Sequence, residues 1–153
     1  MGPGLLRERL VVVGNGMAGL RFLEELVRRA PGRFEVTVVG AEPEPAYNRV
    51  LLSSLLAGDI GADDVRLRPR AWYAEHGIAL VAGQPASAID AAARSVTLGN
   101  GQVLAFDRLV MATGSDAIRL PLPGGELAGV MTSGRWPISP AWGGPQRQAC
   151  RRW

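Results

Sequence analysis

One ten-residue stretch, LVVVGNGMAG at positions 10–19, constrains the fold of this chain more than any other. Leu10–Val13 is an unbroken apolar run, typical of a short strand buried on both faces. The glycine-rich turn Gly14–Gly19 follows at once, and Leu20–Arg29 then carries apolar residues at helical spacing. Strand, glycine turn and helix in this order predict the first half of a dinucleotide-binding βαβ unit.

Each glycine of the turn has a distinct expected role. Gly14 allows the tight turn, Gly16 lets the backbone approach a pyrophosphate, and Gly19 lets the helix pack closely on the strand. A bound pyrophosphate would lie on the free N–H groups of the helix N-terminus, where the helix dipole favours negative charge. The alternative is a glycine turn that serves packing alone, since a GxGxxG pattern by itself is weakly specific.

The charge balance argues against a nucleic-acid partner. All 17 basic residues are arginines, and four of them follow Ser133, where no acidic residue occurs. The preceding part therefore has 17 − 4 = 13 arginines against 14 acidic residues, a net charge of −1. No basic face with interleaved aromatic residues is apparent there, and we expect no nucleic-acid binding.

The sequence also predicts a cytoplasmic protein that does not cross a membrane. No apolar run approaches the roughly 18 residues of a membrane helix, and no secretory signal precedes the first strand. Cys150 is the single cysteine, so no intramolecular disulfide can form.

An acidic residue lies where a ribose-binding group is expected. The β-branched run Phe34–Val39 predicts a second strand, and Glu42 follows it, 42 − 19 = 23 residues after Gly19. An acid near this spacing can accept hydrogen bonds from the ribose of a bound adenosine. The alternatives are that Glu42 is a solvated turn residue, or that Glu44 has this role despite the intervening Pro43.

The connection to the third strand is predicted to be mostly helical. Residues 49–57 suggest a helix ended by a glycine, with Arg49 at its start, where a cation is unfavourable unless an anion lies nearby. Asp63–Leu67 suggests a short extended piece, and a helix is expected from Pro69 through Glu75. Trp72 and Tyr73 are expected to pack that helix, with His76 as its C-terminal cap.

A change of pattern follows the third strand, Ile78–Ala82. Residues 86–106 form short β-like runs, and Asn100-Gly101 is a strong hairpin signal. An apolar strand at Arg108–Ala112 then ends in a turn of small residues that includes Thr113 and Gly114. These signals predict an α/β fold, a Rossmann-like three-layer domain with a small antiparallel β-meander inserted.

The last 21 residues do not continue this pattern. Residues 133–153 have no periodicity and hold three of the four tryptophans. We expect an incomplete FAD/NAD(P)-binding domain at residues 8–132, followed by an aberrant or disordered tail at residues 133–153.

Three segments together resemble a known family: VVVGNGMAG, VTVVGAEPEPAYNRVLLSSLLAGD and LVMATGS. They are similar to the pyridine nucleotide-disulfide oxidoreductase-like flavoproteins, which have two dinucleotide domains, and within them to the NAD(P)H-dependent nitrite reductase branch. AEPEPAYNRVLLSSLLAG is the specific part of the likeness. Ser54 favours this branch, because ferredoxin-reductase-type relatives look to carry Lys there, and no cysteine pair of the disulfide-reductase kind occurs in residues 42–58.

The resemblance implies a set of FAD-binding residues. It assigns the FAD pyrophosphate to the turn, the FAD ribose to Glu42, a flavin-side contact to Arg49, and a position beside the FAD to the small-residue turn. The pyrophosphate is assigned to Gly14, Gly16, Met17 and Ala18, and the small-residue turn contributes Thr113 and Gly114. Gly19, which completes the GxGxxG turn, is counted with the cofactor-binding residues.

The resemblance implies an electron-transfer role. In full-length relatives, hydride passes from NAD(P)H to FAD and electrons continue to iron–sulfur and sirohaem centres, whose sites this sequence does not contain. No residue here qualifies as a catalytic acid, base or nucleophile, and no metal-ligand cluster is present in the sequence. The alternatives are a stand-alone dinucleotide-binding module, part of a ferredoxin- or rubredoxin-reductase-type flavoprotein, or an inactive product.

Overall fold

The computed structural model describes residues 7–116, 118, 121–127 and 130. The predicted tail at residues 133–153 lies outside the described residues, and the predicted domain boundaries stay a prediction. The chain divides into two compact units, each described by itself. Of the described residues, the first comprises 7–48 and 66–114, and the second comprises 49–65 together with those described from 115 onward.

Seven strands and four α-helices make up the described secondary structure, together with one 3-10 helix at Arg49–Leu51. In chain order they are β1 (Glu8–Val13), α1 (Met17–Arg29), β2 (Phe34–Gly40), α2 (Leu52–Ala57), α3 (Ala62–Val65), α4 (Arg70–Glu75), β3 (Ile78–Ala82), β4 (Ala86–Asp90), β5 (Ser95–Leu98), β6 (Val103–Ala105) and β7 (Arg108–Met111).

A parallel sheet forms the centre of the first unit. Its strand order is β3-β2-β1-β7, and all three pairings are parallel. In the middle of β1, Val11 lies opposite Thr37 of β2 on one side and Leu109 of β7 on the other. The glycine-rich turn therefore leaves the sheet between the ends of two neighbouring strands.

Side chains of β1 alternate between two separate hydrophobic clusters. Leu10 and Val12 belong to a cluster on the helical side, and Val11 and Val13 belong to a cluster on the other side. Helices α1 and α4 supply Leu20, Leu23 and Tyr73 to the first, and the antiparallel strands and the following residue supply Val96, Leu98 and Phe106 to the second. The expected burial of β1 on both faces is confirmed, and the outer layers are helices on one face and a small sheet on the other.

The inserted meander is also confirmed. Strands β4, β5 and β6 form a separate antiparallel sheet between β3 and β7 in the chain. The hairpin between β5 and β6 turns at Asn100-Gly101, where Gly101 has a φ of +85° and its N–H donates to the Leu98 carbonyl at 2.9 Å. The Asn100 side chain closes the turn by accepting from the Gln102 N–H at 3.0 Å.

In the second unit, one predicted helix is confirmed and one predicted extended segment is corrected. The helix predicted from residue 49 begins as a 3-10 turn and ends at Gly58, a left-handed cap with a φ of 81°. The extended piece predicted at Asp63–Leu67 is wrong for its first three residues, because α3 occupies Ala62–Val65, while Arg66 forms an isolated β-bridge. Asp64 accepts from the Gly61 N–H at 2.7 Å, and the acidic residues of its first turn favour a helix N-terminus.

The structure bears on two further expectations from sequence. Tyr73 of α4 is 1% exposed, as expected for a packing residue, and His76 caps the helix with its Nδ1 2.7 Å from the Trp72 carbonyl oxygen. Among the described residues, no helix has the length and apolar character needed to cross a membrane.

At the amino end of the parallel sheet, a bidentate ion pair joins β1 to the residue that precedes β7. The Arg9 guanidinium donates to both carboxylate oxygens of Asp107, at 3.0 and 2.9 Å, and the Arg9 backbone N–H donates to the same carboxylate at 2.8 Å. The Asp107 N–H in turn donates to the Arg9 carbonyl at 2.8 Å. The Arg9 side chain holds the pKa of Asp107 well below its ordinary value of 3.8.

This pair predicts a pH-dependent contribution to stability. Because the pKa of Asp107 is lower in the folded than in the unfolded state, the contribution is present above pH 3.8 and is lost as the pH falls below that value. Asp107→Asn should therefore lower the melting temperature at pH 6, and the difference from the parent chain should shrink between pH 4 and 2. A constant difference across this range would assign the effect to packing instead of charge.

Candidate dinucleotide site

The glycine-rich turn is fixed by backbone hydrogen bonds at the carboxyl edge of the parallel sheet. The Gly14 N–H donates to the Val39 carbonyl of β2 at 2.8 Å. On the other side, the Ala112 N–H donates to the Val13 carbonyl at 2.7 Å. The turn thus lies where the ends of β2, β1 and β7 meet, the edge at which open α/β sheets bind their ligands.

Two of the three glycines are required by packing. Gly14 has a φ of +113°, and a Cβ added to it would lie 2.1 Å from the Ala112 carbonyl oxygen. A Cβ added to Gly19 would lie 2.1 Å from the Gly14 carbonyl oxygen. Both distances are far below van der Waals contact, so the turn, the first turn of α1 and the end of β7 approach one another at backbone distance.

Gly16 differs from the other two glycines. Its φ of −89° is available to any residue, and an added Cβ would meet no heavy atom within 4 Å. Gly16 is the N-cap of α1, no side-chain hydrogen bond caps the helix, and its first turn contains no acidic residue. Met17 and Ala18 are exposed there. The N-terminus of α1 therefore offers backbone donors and open space, which fit an anionic pyrophosphate.

Asn15, between the first two glycines, turns its carboxamide inward. Its Oδ1 accepts a hydrogen bond from the Tyr73 hydroxyl at 3.0 Å, and the phenol oxygen is also bonded by the Ala46 backbone. Burial raises the pKa of Tyr73, which keeps the hydroxyl protonated as a donor. Within the described part of the chain, the Asn15 Nδ2 atom is buried without a hydrogen-bond partner. This link ties the glycine turn to α4 and to the loop after β2.

That loop carries both acidic candidates, and they have different surroundings. Glu42 accepts a hydrogen bond from the Tyr47 hydroxyl, and its backbone carbonyl accepts from the Gly83 N–H at 2.9 Å. Glu44 instead lies 3.9 Å from the Arg66 guanidinium. Glu42 is two residues closer than Glu44 to Gly40, the end of β2. Gly40 itself lies beside the turn, since a Cβ added to it would lie 3.2 Å from the Asn15 Cβ. The ribose-binding role of Glu42 stays a prediction.

The remaining predicted site residues fall into two groups. Thr113 lies beside the turn, because its backbone nitrogen is 2.9 Å from where a Gly14 Cβ would be. Gly114 has a φ of +71°, which favours glycine at that position. Arg49 belongs to the second unit, where it begins the 3-10 helix, and its flavin-side contact stays a prediction.

Sequence reasoning missed Asn15 and Tyr47, and it gave Tyr73 a packing role without giving its hydroxyl a place in the site. Tyr47 is 5 residues from Glu42, so a local contact was open to prediction from the printed sequence. Tyr73 and Asn15 are 58 residues apart, and no local pattern signals their hydrogen bond.

Comparisons with known proteins identify the family of this chain. Residues 8–135 match the family model described as pyridine nucleotide-disulphide oxidoreductase. The chain belongs to the pyridine nucleotide-disulphide oxidoreductase family. It is 43% identical over 124 residues to the assimilatory nitrate reductase electron transfer subunit of Bacillus subtilis (strain 168), covering 81% of this chain and 16% of that protein.

One further relative and one solved structure are also similar to this chain. Nitrite reductase [NAD(P)H] of Bacillus subtilis (strain 168) is 40% identical over 81% of this chain and 15% of its own length. The solved NAD-dependent persulfide reductase from A. fulgidus is 28% identical, with a TM-score of 0.75 over 84% of this chain and 25% of that one. The chain thus spans about a sixth of the length of the two Bacillus relatives.

Family membership and the form of the turn point to FAD as the cofactor of this chain. The open surface over Gly16 and the uncapped start of α1 fit an anionic pyrophosphate. Among the described residues, no cluster of three His, Cys, Asp or Glu side chains could hold a metal ion.

The contrast between the glycines predicts unequal effects of alanine substitution on stability. Gly19→Ala should lower the free energy of unfolding by about 1–3 kcal/mol, because the new methyl group overlaps the Gly14 carbonyl. Gly16→Ala, which adds the same methyl group in open space, should change it by less than about 0.5 kcal/mol. Urea unfolding of the two variants measures both. Equal losses would mean that Gly16 is also packed.

Proposed function

We propose that this chain binds the ADP half of FAD at the glycine turn, as part of an NAD(P)H-dependent nitrite reductase. The observation that carries the proposal is the open N-terminus of α1 at Gly16, where an added Cβ meets nothing and no side chain caps the helix. Packing gives no reason for glycine at that position, whereas the close approach of a pyrophosphate does.

The turn residues bind the pyrophosphate through their backbone. Gly14 sets the turn, Gly16 leaves the approach open, and the N–H groups at Met17, Ala18 and Gly19 head the helix without intrahelical acceptors. The first turn of α1 contains no acidic side chain, and its basic residues Arg28 and Arg29 lie in the last turn. The positive end of the helix dipole is therefore not neutralised by a carboxylate of its own first turn.

Glu42 is the proposed ribose ligand. Glu42 follows Gly40, the last residue of β2, and a Cβ added to Gly40 would lie 3.2 Å from the Asn15 Cβ of the turn. An ionised carboxylate accepts hydrogen bonds from hydroxyl groups strongly. Thr113 and Gly114 would line the cofactor from the end of β7, and Arg49 would contact its flavin side. Hydride acceptance and electron release are chemistry that the flavin supplies when bound.

The electron acceptor is proposed from the relatives and from one residue. Two of the relatives are named for nitrate and nitrite reduction, and Ser54 stands where ferredoxin-reductase-type relatives look to carry Lys. In the whole protein, NAD(P)H would be the reductant and nitrite the oxidant, with metal centres outside this sequence. The ferredoxin- or rubredoxin-reductase type is the second candidate. A cytoplasmic location and the lack of nucleic-acid binding remain predictions from composition.

Removing the charge of Glu42 should weaken FAD binding. Glu42→Gln retains an oxygen for the Tyr47 hydroxyl, so the loop stays paired while the charge-assisted ribose bonds are lost. We expect a loss of about 1–3 kcal/mol, which is roughly 5- to 150-fold in Kd, measured by flavin fluorescence titration of the purified chain.

Glu44→Gln is the matched control, since it removes the same charge from the same loop at the Arg66 pair. Its Kd for FAD should match that of the parent chain. If Glu44→Gln weakened binding while Glu42→Gln did not, the ribose role would pass to Glu44.

Competition separates the ADP half from the flavin half. ADP should displace FAD from the purified chain, and FMN, which lacks the adenosine and its pyrophosphate link, should not. Displacement by FMN alone would contradict the proposed site.

The chain reconstituted with FAD should keep its visible flavin absorbance when NADH or NADPH is added. The reason is that the sequence holds one GxGxxG turn, and that turn is assigned to FAD. Rapid bleaching of the flavin would place a hydride-donor site within these residues.

A further inference from the structure

A second side chain, that of Tyr47, is hydrogen-bonded to the proposed ribose ligand Glu42. The Tyr47 hydroxyl donates a hydrogen bond to Glu42 Oε2, and Tyr47 itself is only 4% exposed. A buried phenol without an acceptor loses the hydration of its hydroxyl, which costs free energy. The bond to Glu42 therefore serves the fold and fixes a carboxylate oxygen at the same time.

Both ends of this bond are held by the backbone. Tyr47 pairs with Arg66 in an antiparallel bridge, and the Leu67 N–H donates to the carbonyl of Ala46 at 3.1 Å. At the other end, the Gly83 N–H donates to the Glu42 carbonyl at 2.9 Å. The phenol and the carboxylate are thus anchored to separate backbone segments.

We propose that Tyr47 is a positioning residue that sets the orientation of the Glu42 carboxylate for the adenosine ribose of FAD. The inference rests on the proposed function, because it requires Glu42 to bind that ribose. An ionised carboxylate has about four acceptor positions, so the bond from Tyr47 does not exhaust its capacity for ribose hydroxyls.

The fixed carboxylate improves ribose recognition in two ways. A Glu side chain loses rotamer freedom when it binds a ligand, which costs binding free energy, and Tyr47 imposes that loss before FAD arrives. A carboxylate in one orientation also discriminates between a ribose with both hydroxyls and one that lacks the 2′-hydroxyl. Loss of the phenol should therefore reduce selectivity, whereas a loss of general stability should not.

The test compares two ligands on the purified chain: FAD and its analogue with 2′-deoxyadenosine. The selectivity is the Kd of the analogue divided by the Kd of FAD. We expect a selectivity of about tenfold in the parent chain, the worth of one good hydrogen bond. Tyr47→Phe should reduce it to about threefold or less, mostly by weakening FAD.

Two variants give the comparison its controls. Glu42→Gln should also abolish most of the selectivity. Tyr73→Phe removes a hydroxyl from the other tyrosine of the chain, 1% exposed and bonded to Asn15 instead of Glu42. It should lower the melting temperature and can weaken both ligands, but the selectivity should stay at the parent value.

The outcomes separate the two claims. Parent-like selectivity in Glu42→Gln overturns the proposed ribose role of Glu42. Reduced selectivity in Glu42→Gln with parent-like selectivity in Tyr47→Phe overturns the positioning role alone. Reduced selectivity in Tyr73→Phe as large as that in Tyr47→Phe also overturns it, since the effect would then follow from any loss of packing in this region.

A second pair of variants covers the case in which Tyr47→Phe does not fold. At position 47, 4-methylphenylalanine fills the volume of the hydroxyl without a donor, and 4-aminophenylalanine restores an N–H donor. The amino variant should recover most of the parent selectivity and the methyl variant should not. Equal selectivity in the two would overturn the inference.

Discussion

The structure of the first unit depends on two close contacts between backbones. The Gly14 carbonyl oxygen lies 2.1 Å from where a Cβ of Gly19 would be, and the Ala112 carbonyl oxygen lies 2.1 Å from where a Cβ of Gly14 would be. Three segments, the glycine turn, the start of α1 and the end of β7, therefore meet with no side chain between them. These backbone contacts fix the position of α1 against the sheet, and they thereby fix the direction of the free N–H groups at its N-terminus.

Burial of β1 on both faces determines the rest of the architecture. Val11 and Val13 need an apolar partner on the face opposite the helices, and the antiparallel strands provide it through Val96, Leu98 and Phe106. The meander between β3 and β7 is therefore a structural layer. It leaves the carboxyl edge of the sheet to the turn after β1, the loop after β2 and the turn after β7, which together carry the candidate site.

Local patterns predicted local structure well. The apolar run at Leu10–Val13 and the Asn100-Gly101 hairpin have physical signatures within a few residues, and both were confirmed. The error at Asp63–Leu67 arose because a single turn of helix, closed by Asp64 on Gly61, has too few residues to show a period. Side-chain bonds between distant residues had no sequence signal: the Arg9–Asp107 pair spans 98 residues.

The same geometry decides what the GxGxxG pattern is worth as a sign of ligand binding. Packing alone accounts for Gly14 and Gly19, since any side chain there would overlap a carbonyl oxygen. A turn that served packing alone would leave position 16 open to alanine or serine, because Gly16 has ordinary dihedral angles and open space around it. Serine there would even cap α1 and add to its stability. Glycine at position 16 provides no such cap and leaves the N–H groups of the helix uncovered. Binding of a pyrophosphate by these N–H groups would explain why glycine occupies the position.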